Sequence, residues 1–164
     1  MIHHHELAAA ALKLLRDREA DYPARIADGR MDAATAEASL DTARAIVATW
    51  RWVMDPSCPP LPEWDYHRGH FGVHVDRQAA HLAETAAWAK VRTAKTPGDE
   101  RAATLAALYA ELAAWHRERG GVAAIQLVVT AARRHPNHHR PWLHHDAGPV
   151  LRDLGIAAPL AKAA

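Results

Sequence analysis

The stretch from Glu6 to Met54 constrains this chain most, because it holds two apolar stripes of helical period separated by a glycine turn. In the first stripe Leu7, Ala11, Leu14, Leu15, Tyr22 and Ile26 fall on one face of a 3.6-residue period. Pro23 comes late in that pattern. It removes one hydrogen bond and crowds the preceding turn, which predicts a kink near Asp21-Tyr22 and then a short terminal turn. Gly29 supplies the left-handed residue that stops a helix. Met31 and Asp32 then read as a hydrophobic staple followed by an N-cap. The second stripe is Ala36, Leu40, Ala43, Val47, Trp50 and Met54, with Glu37, Asp41, Arg44 and Arg51 mainly outside it. The two faces close on each other as an antiparallel helical hairpin, and their alanines permit close approach.

Composition decides how much core such a hairpin can help to build. At 164 residues the chain is one domain, or a small domain with appendages. The apolar fraction of 49% leans on alanine, which favours helix but buries little area per residue. Six tryptophans must therefore supply much of the core volume or mark an interface. A homodimer would add burial.

Charge and cysteine usage narrow the partners. A net charge of +1 gives no global field to steer nucleic acid or an anionic membrane, although thirteen histidines add positive charge in acid. The lone Cys58 has no intrachain disulfide partner and fits a reducing cytoplasm. No apolar run approaches membrane-spanning length, and no secretory core follows Met1. His3, His4 and His5 read as a native N-terminus or a tag remnant and receive no functional weight.

Downstream, four prolines between Asp55 and Glu63 predict a stiff extended connector. The glycine- and histidine-bearing run from Trp64 to Val75 predicts extended or irregular chain. Asp76 is the expected N-cap of a third helix reaching about Thr93. Asp99 caps a fourth, which Gly120-Gly121 ends. A fifth helix, from about Val122 to Arg134, is apolar on nearly all sides around Ile125-Val129 and so predicts a central position. The tail holds a short helix near Val150 to Leu154 and a loosely held end from Ala157. The division is a hairpin over 1–54, a connector over 55–75, a helical bundle over 76–135 and an irregular tail over 136–164. The fold class is all-α, a bundle of about five helices.

The run Tyr22-Pro23-Ala24-Arg25-Ile26-Ala27-Asp28-Gly29-Arg30-Met31 resembles a pattern in short helical proteins encoded by phages and prophages, where Y-P-x-x-(apolar)-x-x-G-R-M joins two helices. The resemblance covers residues 6–54 and nothing after them. It implies an accessory gene of a mobile element and no particular activity.

Two clusters carry candidate chemistry. The first is His67, His70, His74, Asp76 and His81. In an extended segment His70, His74 and Asp76 share one face, and two imidazoles with a carboxylate suit zinc or iron. The competing reading is a histidine-bearing loop whose Asp76 simply caps the third helix. The string Gly72-Val73-His74-Val75-Asp76-Arg77 lacks the first and last histidines of the H-x-H-x-D-H motif of metallo-β-lactamase-like hydrolases, which excludes that family. The second cluster runs from Arg133 to Asp146. Arg133, Arg134, His138, His139, Arg140 and Trp142 make a basic surface with one aromatic, suited to a protein partner or to nucleic acid. Cations at a helix end also answer its dipole.

Nucleophilic catalysis has little support, since Ser39 lies mid-helix while Ser57 and Cys58 lie in the proline connector. No phosphate loop, H-E-x-x-H or C-x-x-C string is present. The leading expectation is a non-enzymatic, cofactor-free helical interaction protein that binds, and inhibits, a host or phage protein such as a defence complex. The alternatives are a zinc- or iron-dependent module using the loop histidines and a nucleic-acid binder using the basic tail.

Overall fold

The computed structural model describes residues 1–157. It is an all-α bundle of six helices: α1 (His4–Ala27), α2 (Ala33–Met54), α3 (Val75–Lys95), α4 (Glu100–Trp115), α5 (Ala124–Ala132) and α6 (Ala147–Asp153). The first two form the expected hairpin, and α3 and α4 form a second one packed against it. A 3-10 turn (Pro141–Leu143) and α6 close over the start of α1. One hydrophobic core draws on all six helices, with Trp50, Leu7, Ile46, Met54, Leu82, Leu112, Ile125 and Leu151 among its fully buried side chains.

Local signals at the helix ends translate directly into structure. Gly29 has φ +75°, and its neighbour Arg30 donates its backbone N–H to the Arg25 carbonyl at 2.9 Å. A Cβ at Gly29 would meet nothing within 4 Å, so the backbone angle alone calls for glycine there. The Asp32 carboxylate accepts from the Thr35 N–H at 2.8 Å and that of Asp99 from Ala102 at 3.0 Å, each an N-cap. Pro23 costs α1 a hydrogen bond without ending it. The helix runs on through Ala27, and the proline lies exposed in its last turns.

Elsewhere the chain departs from its pattern. Helix α3 starts one residue before Asp76: His74 is its N-cap and receives the Asp76 N–H on Nδ1 at 3.3 Å, leaving Asp76 in the first turn. The preceding run is not extended. It is a turn closed by an antiparallel bridge between Asp65 and Gly69. Gly120 and Gly121, at φ +61° and +84°, do not cap α4, which already ends at Trp115. They form the tight turn of a hairpin in which β1 (Glu118–Arg119) pairs antiparallel with β2 (Val122–Ala123).

Helix α5 is peripheral on one side. Ile125 and Val129 are buried, but Leu127 and Val128 are exposed, because the helix is short and touches the core along a single face. The proline connector is fastened down. The Trp52 indole N–H donates to the Pro59 carbonyl at 2.8 Å, and Arg133 reaches the same carbonyl and that of Trp52. The expected short tail helix is α6, with Pro149 in its first turn, where a missing N–H is tolerated. The expectation of a loose end beyond Ala157 lies outside the described residues.

Candidate functional site

Two polar clusters lie along α1, one at its N-terminus and one on its second half. The first is built on the histidines that open the helix. His4 is wedged edge-on against Trp50 (5.8 Å between ring centroids) and Trp115 (5.6 Å), with His139 at 5.3 Å. Burial first, then His139 and His3, push its pKa down to about 4. His116 is fully buried and accepts the Trp50 indole N–H on Nε2 at 2.9 Å, which places its own proton on Nδ1. Burial alone lowers its pKa to about 3. Trp50 and neutral His116 thus interlock in the core at this end, with half-buried His4 and Trp115 packed together at its edge.

One helical step further on, His5 is 6% exposed, and its buried Nδ1 has no hydrogen-bond partner among the described residues. The His144 ring stacks on it at 4.2 Å, and His3 and His145 lie 4.6 and 4.4 Å from His144. The Asp146 carboxylate is 3.0 Å from His145 Nε2 and 3.9 Å from His144 Nδ1, which accepts the Asp146 N–H at 3.2 Å, so coordination by the His144 ring falls to Nε2. Among the described residues, His5, His144 and Asp146 are the set of potential metal ligands whose donor atoms all lie within 4.8 Å of one another.

The second cluster floors a groove of about 1750 Å³ bounded by α1, the start of α2, α3 and α4. Arg18 donates to the Tyr22 hydroxyl and, at 2.9 Å, to Thr85 Oγ1; the Tyr22 hydroxyl pairs with Ser39 Oγ at 2.6 Å. Arg18 Nε and His81 Nε2 are buried beside this network with no partner among the described residues. Burial and the Arg18 charge push His81 down to about 4, while burial and Asp17 push Tyr109 up to about 12. At neutral pH the floor therefore presents one fixed cation, a neutral imidazole and a protonated phenol. A base that weak and an acid that weak are both far from the working range for proton transfer near neutrality. Trp88, 67% exposed, stands on the rim with Arg92 and Arg101.

The residues singled out by sequence are distributed otherwise. His70 and His74 sit edge-on to the Trp64 ring at 5.1 and 5.4 Å. His70 Nδ1 lies 2.7 Å from the Pro62 carbonyl, and His74 Nδ1 is occupied by the cap and lies 3.4 Å from Asp76. His81 belongs to the groove instead. On the basic tail, Arg133 packs over the Trp52 ring at 4.3 Å and holds the connector. His139 is buried and Trp142 packs on the core, while Arg134 and His138 are exposed and Arg140 lines a small hollow of about 350 Å³ with His139 and Trp142.

Sequence reasoning did not find the His5–His144–Asp146 set, since 139 positions separate His5 from His144. The string His144-His145-Asp146 was the local signal. Comparison with known protein families, curated proteins and solved structures returns no match.

Proposed function

We propose that this chain is a non-enzymatic helical binding module that seats a segment of a partner protein in the groove between α1 and the α3–α4 hairpin. The observation that carries the reading is the pairing, in one groove, of an exposed tryptophan on the rim with a half-buried arginine, Arg18, whose buried Nε has no partner among the described residues. Tryptophan and arginine are the side chains most often found as interface anchors. Leu105 and Leu108 add apolar lining, and the groove matches an amphipathic helix that lays its apolar face inward.

Charge specifies the occupant further. Lys13 is paired with Asp17 at 2.8 Å and Arg25 with Asp21 at 3.6 Å, and Asp99 caps α4. The lining as a whole holds five cations and five carboxylates, so the position of Arg18 at the floor, not net charge, specifies the occupant. A helix carrying a carboxylate toward Arg18 is the partner this arrangement favours. The resemblance of residues 6–54 to phage-encoded proteins fits an accessory protein whose target is a host or phage protein, with inhibition of that target as its effect.

A peptide-display selection against the folded chain tests this. Amphipathic sequences with a carboxylate should be enriched, and their affinity should fall by about 30-fold in Trp88→Ala, the loss of one anchor. Charge reversal at Arg101 should weaken them as well. No enrichment, or binding indifferent to both substitutions, would overturn the proposal.

A further inference from the structure

We propose that the junction between the start of α1 and the loop entering α6 is a binding site for a divalent first-row transition metal, held by His5, His144 and Asp146. The three donors come from segments far apart in sequence, and the packing of α6 and the 3-10 turn on α1 brings them within 4.8 Å of one another. His5 supplies the independent sign of a ligand. The residue is only 6% exposed, yet its Nδ1 has no partner among the described residues. A buried polar atom without a hydrogen bond is destabilising, and coordination would remove that cost.

The donor chemistry selects the class of ion. Two imidazoles and one carboxylate suit zinc, iron, nickel or copper, whereas calcium and magnesium take oxygen ligands. Tetrahedral zinc holds its donors about 3.3 Å apart, so the site must tighten on loading. The movement falls to His144 and Asp146, which lie on a loop, while His5 is fixed by its helix. His145, 3.0 Å from the Asp146 carboxylate, can orient that ligand from behind, and a water would take the fourth position. The ion would staple the first turn of the bundle to its last helix. This site is independent of the groove.

Untagged chain, purified without metal-affinity chromatography and stripped with chelator, should take up one Zn²⁺ per molecule in competition with a chromophoric chelator. Co²⁺ should give a visible d–d spectrum, and saturating Zn²⁺ should raise Tm. His144→Ala and Asp146→Asn should each weaken binding by about tenfold or more and abolish the rise in Tm. His67→Ala and His138→Ala, at exposed histidines elsewhere, should change neither. Asp146 is exposed, so Asp146→Asn decides the matter if His144→Ala loses helicity. No uptake at micromolar Zn²⁺, uptake that survives Asp146→Asn, or uptake lost equally with His67→Ala would overturn the site.

Discussion

The two halves of α1 differ in composition and in fate: four leucines and four alanines lie between His4 and Leu15, whereas six charged residues and no leucine lie between Arg16 and Ala27. In the first half His5, Leu7, Ala8, Ala10, Ala11, Leu12 and Leu14 are buried almost all round, while beyond Leu14 only Tyr22 is. The packing follows the same division. The 3-10 turn and α6 cover the N-terminal half and, with α2, turn it into a core helix. Over the C-terminal half the α3–α4 hairpin stands off, and the gap is the groove with its polar floor. Composition and neighbours therefore act together in deciding burial along one helix. The same stretch builds a dry tryptophan–histidine lock at one end and an open recognition surface at the other.

The sharpest break in that comparison is at Trp50. Truncation to alanine should cost about 3–5 kcal/mol, because it empties a fully enclosed site and strips His116 Nε2 of its donor. Chemical denaturation would show it as a lower midpoint with unchanged slope.

Acid should open the closed end next. His116 is neutral in the fold down to about pH 3 but titrates at its ordinary 6.5 once unfolded. Above 6.5 neither state binds the proton and the group contributes no pH dependence. As pH falls below 6.5 the unfolded chain takes up a proton that the fold refuses, so stability drops by about 1.4 kcal/mol per pH unit for this histidine, or about 2 kcal/mol by pH 5. His4, lowered to about 4, acts in the same direction. Replacing His116 with glutamine should flatten the profile between pH 6.5 and 4. An unchanged slope would contradict the buried neutral imidazole.

At the open end the effects should be smaller. Tyr22→Phe removes one acceptor from Arg18 and the partner of Ser39, for about 1 kcal/mol. Trp88→Ala should shift stability by less than about 0.5 kcal/mol, because the side chain is 67% exposed, while weakening any groove ligand. A large loss of stability at Trp88 would mean that the groove is closed in solution and that the contrast between the two ends is unreal.

What could be read from the chain alone was whatever one or two turns of backbone decide. Gly29, Asp32 and Asp99 act through hydrogen bonds within a few residues, so the hairpin and the helix starts were legible. The fold class followed from the spacing of alanine, leucine and tryptophan. Where two local readings competed, the backbone chose: Gly120-Gly121 served equally as a helix stop or a hairpin turn, and only the pairing of β1 with β2 decided. Likewise an apolar run such as Ile125-Val129 specifies a helix but not how many of its sides are covered.

The candidate sites were legible only as ingredients. Thirteen histidines announced themselves by number, yet their roles depend on what each one faces after folding. His81 left the loop cluster for Arg18, His139 became buried beside a half-buried His4, and His5 met His144 across nearly the whole chain. Helix periods and caps are short-range properties that the sequence settles by itself. Burial, shifted proton affinity and the convergence of distant side chains are set by packing between elements, and only the tertiary structure decides those.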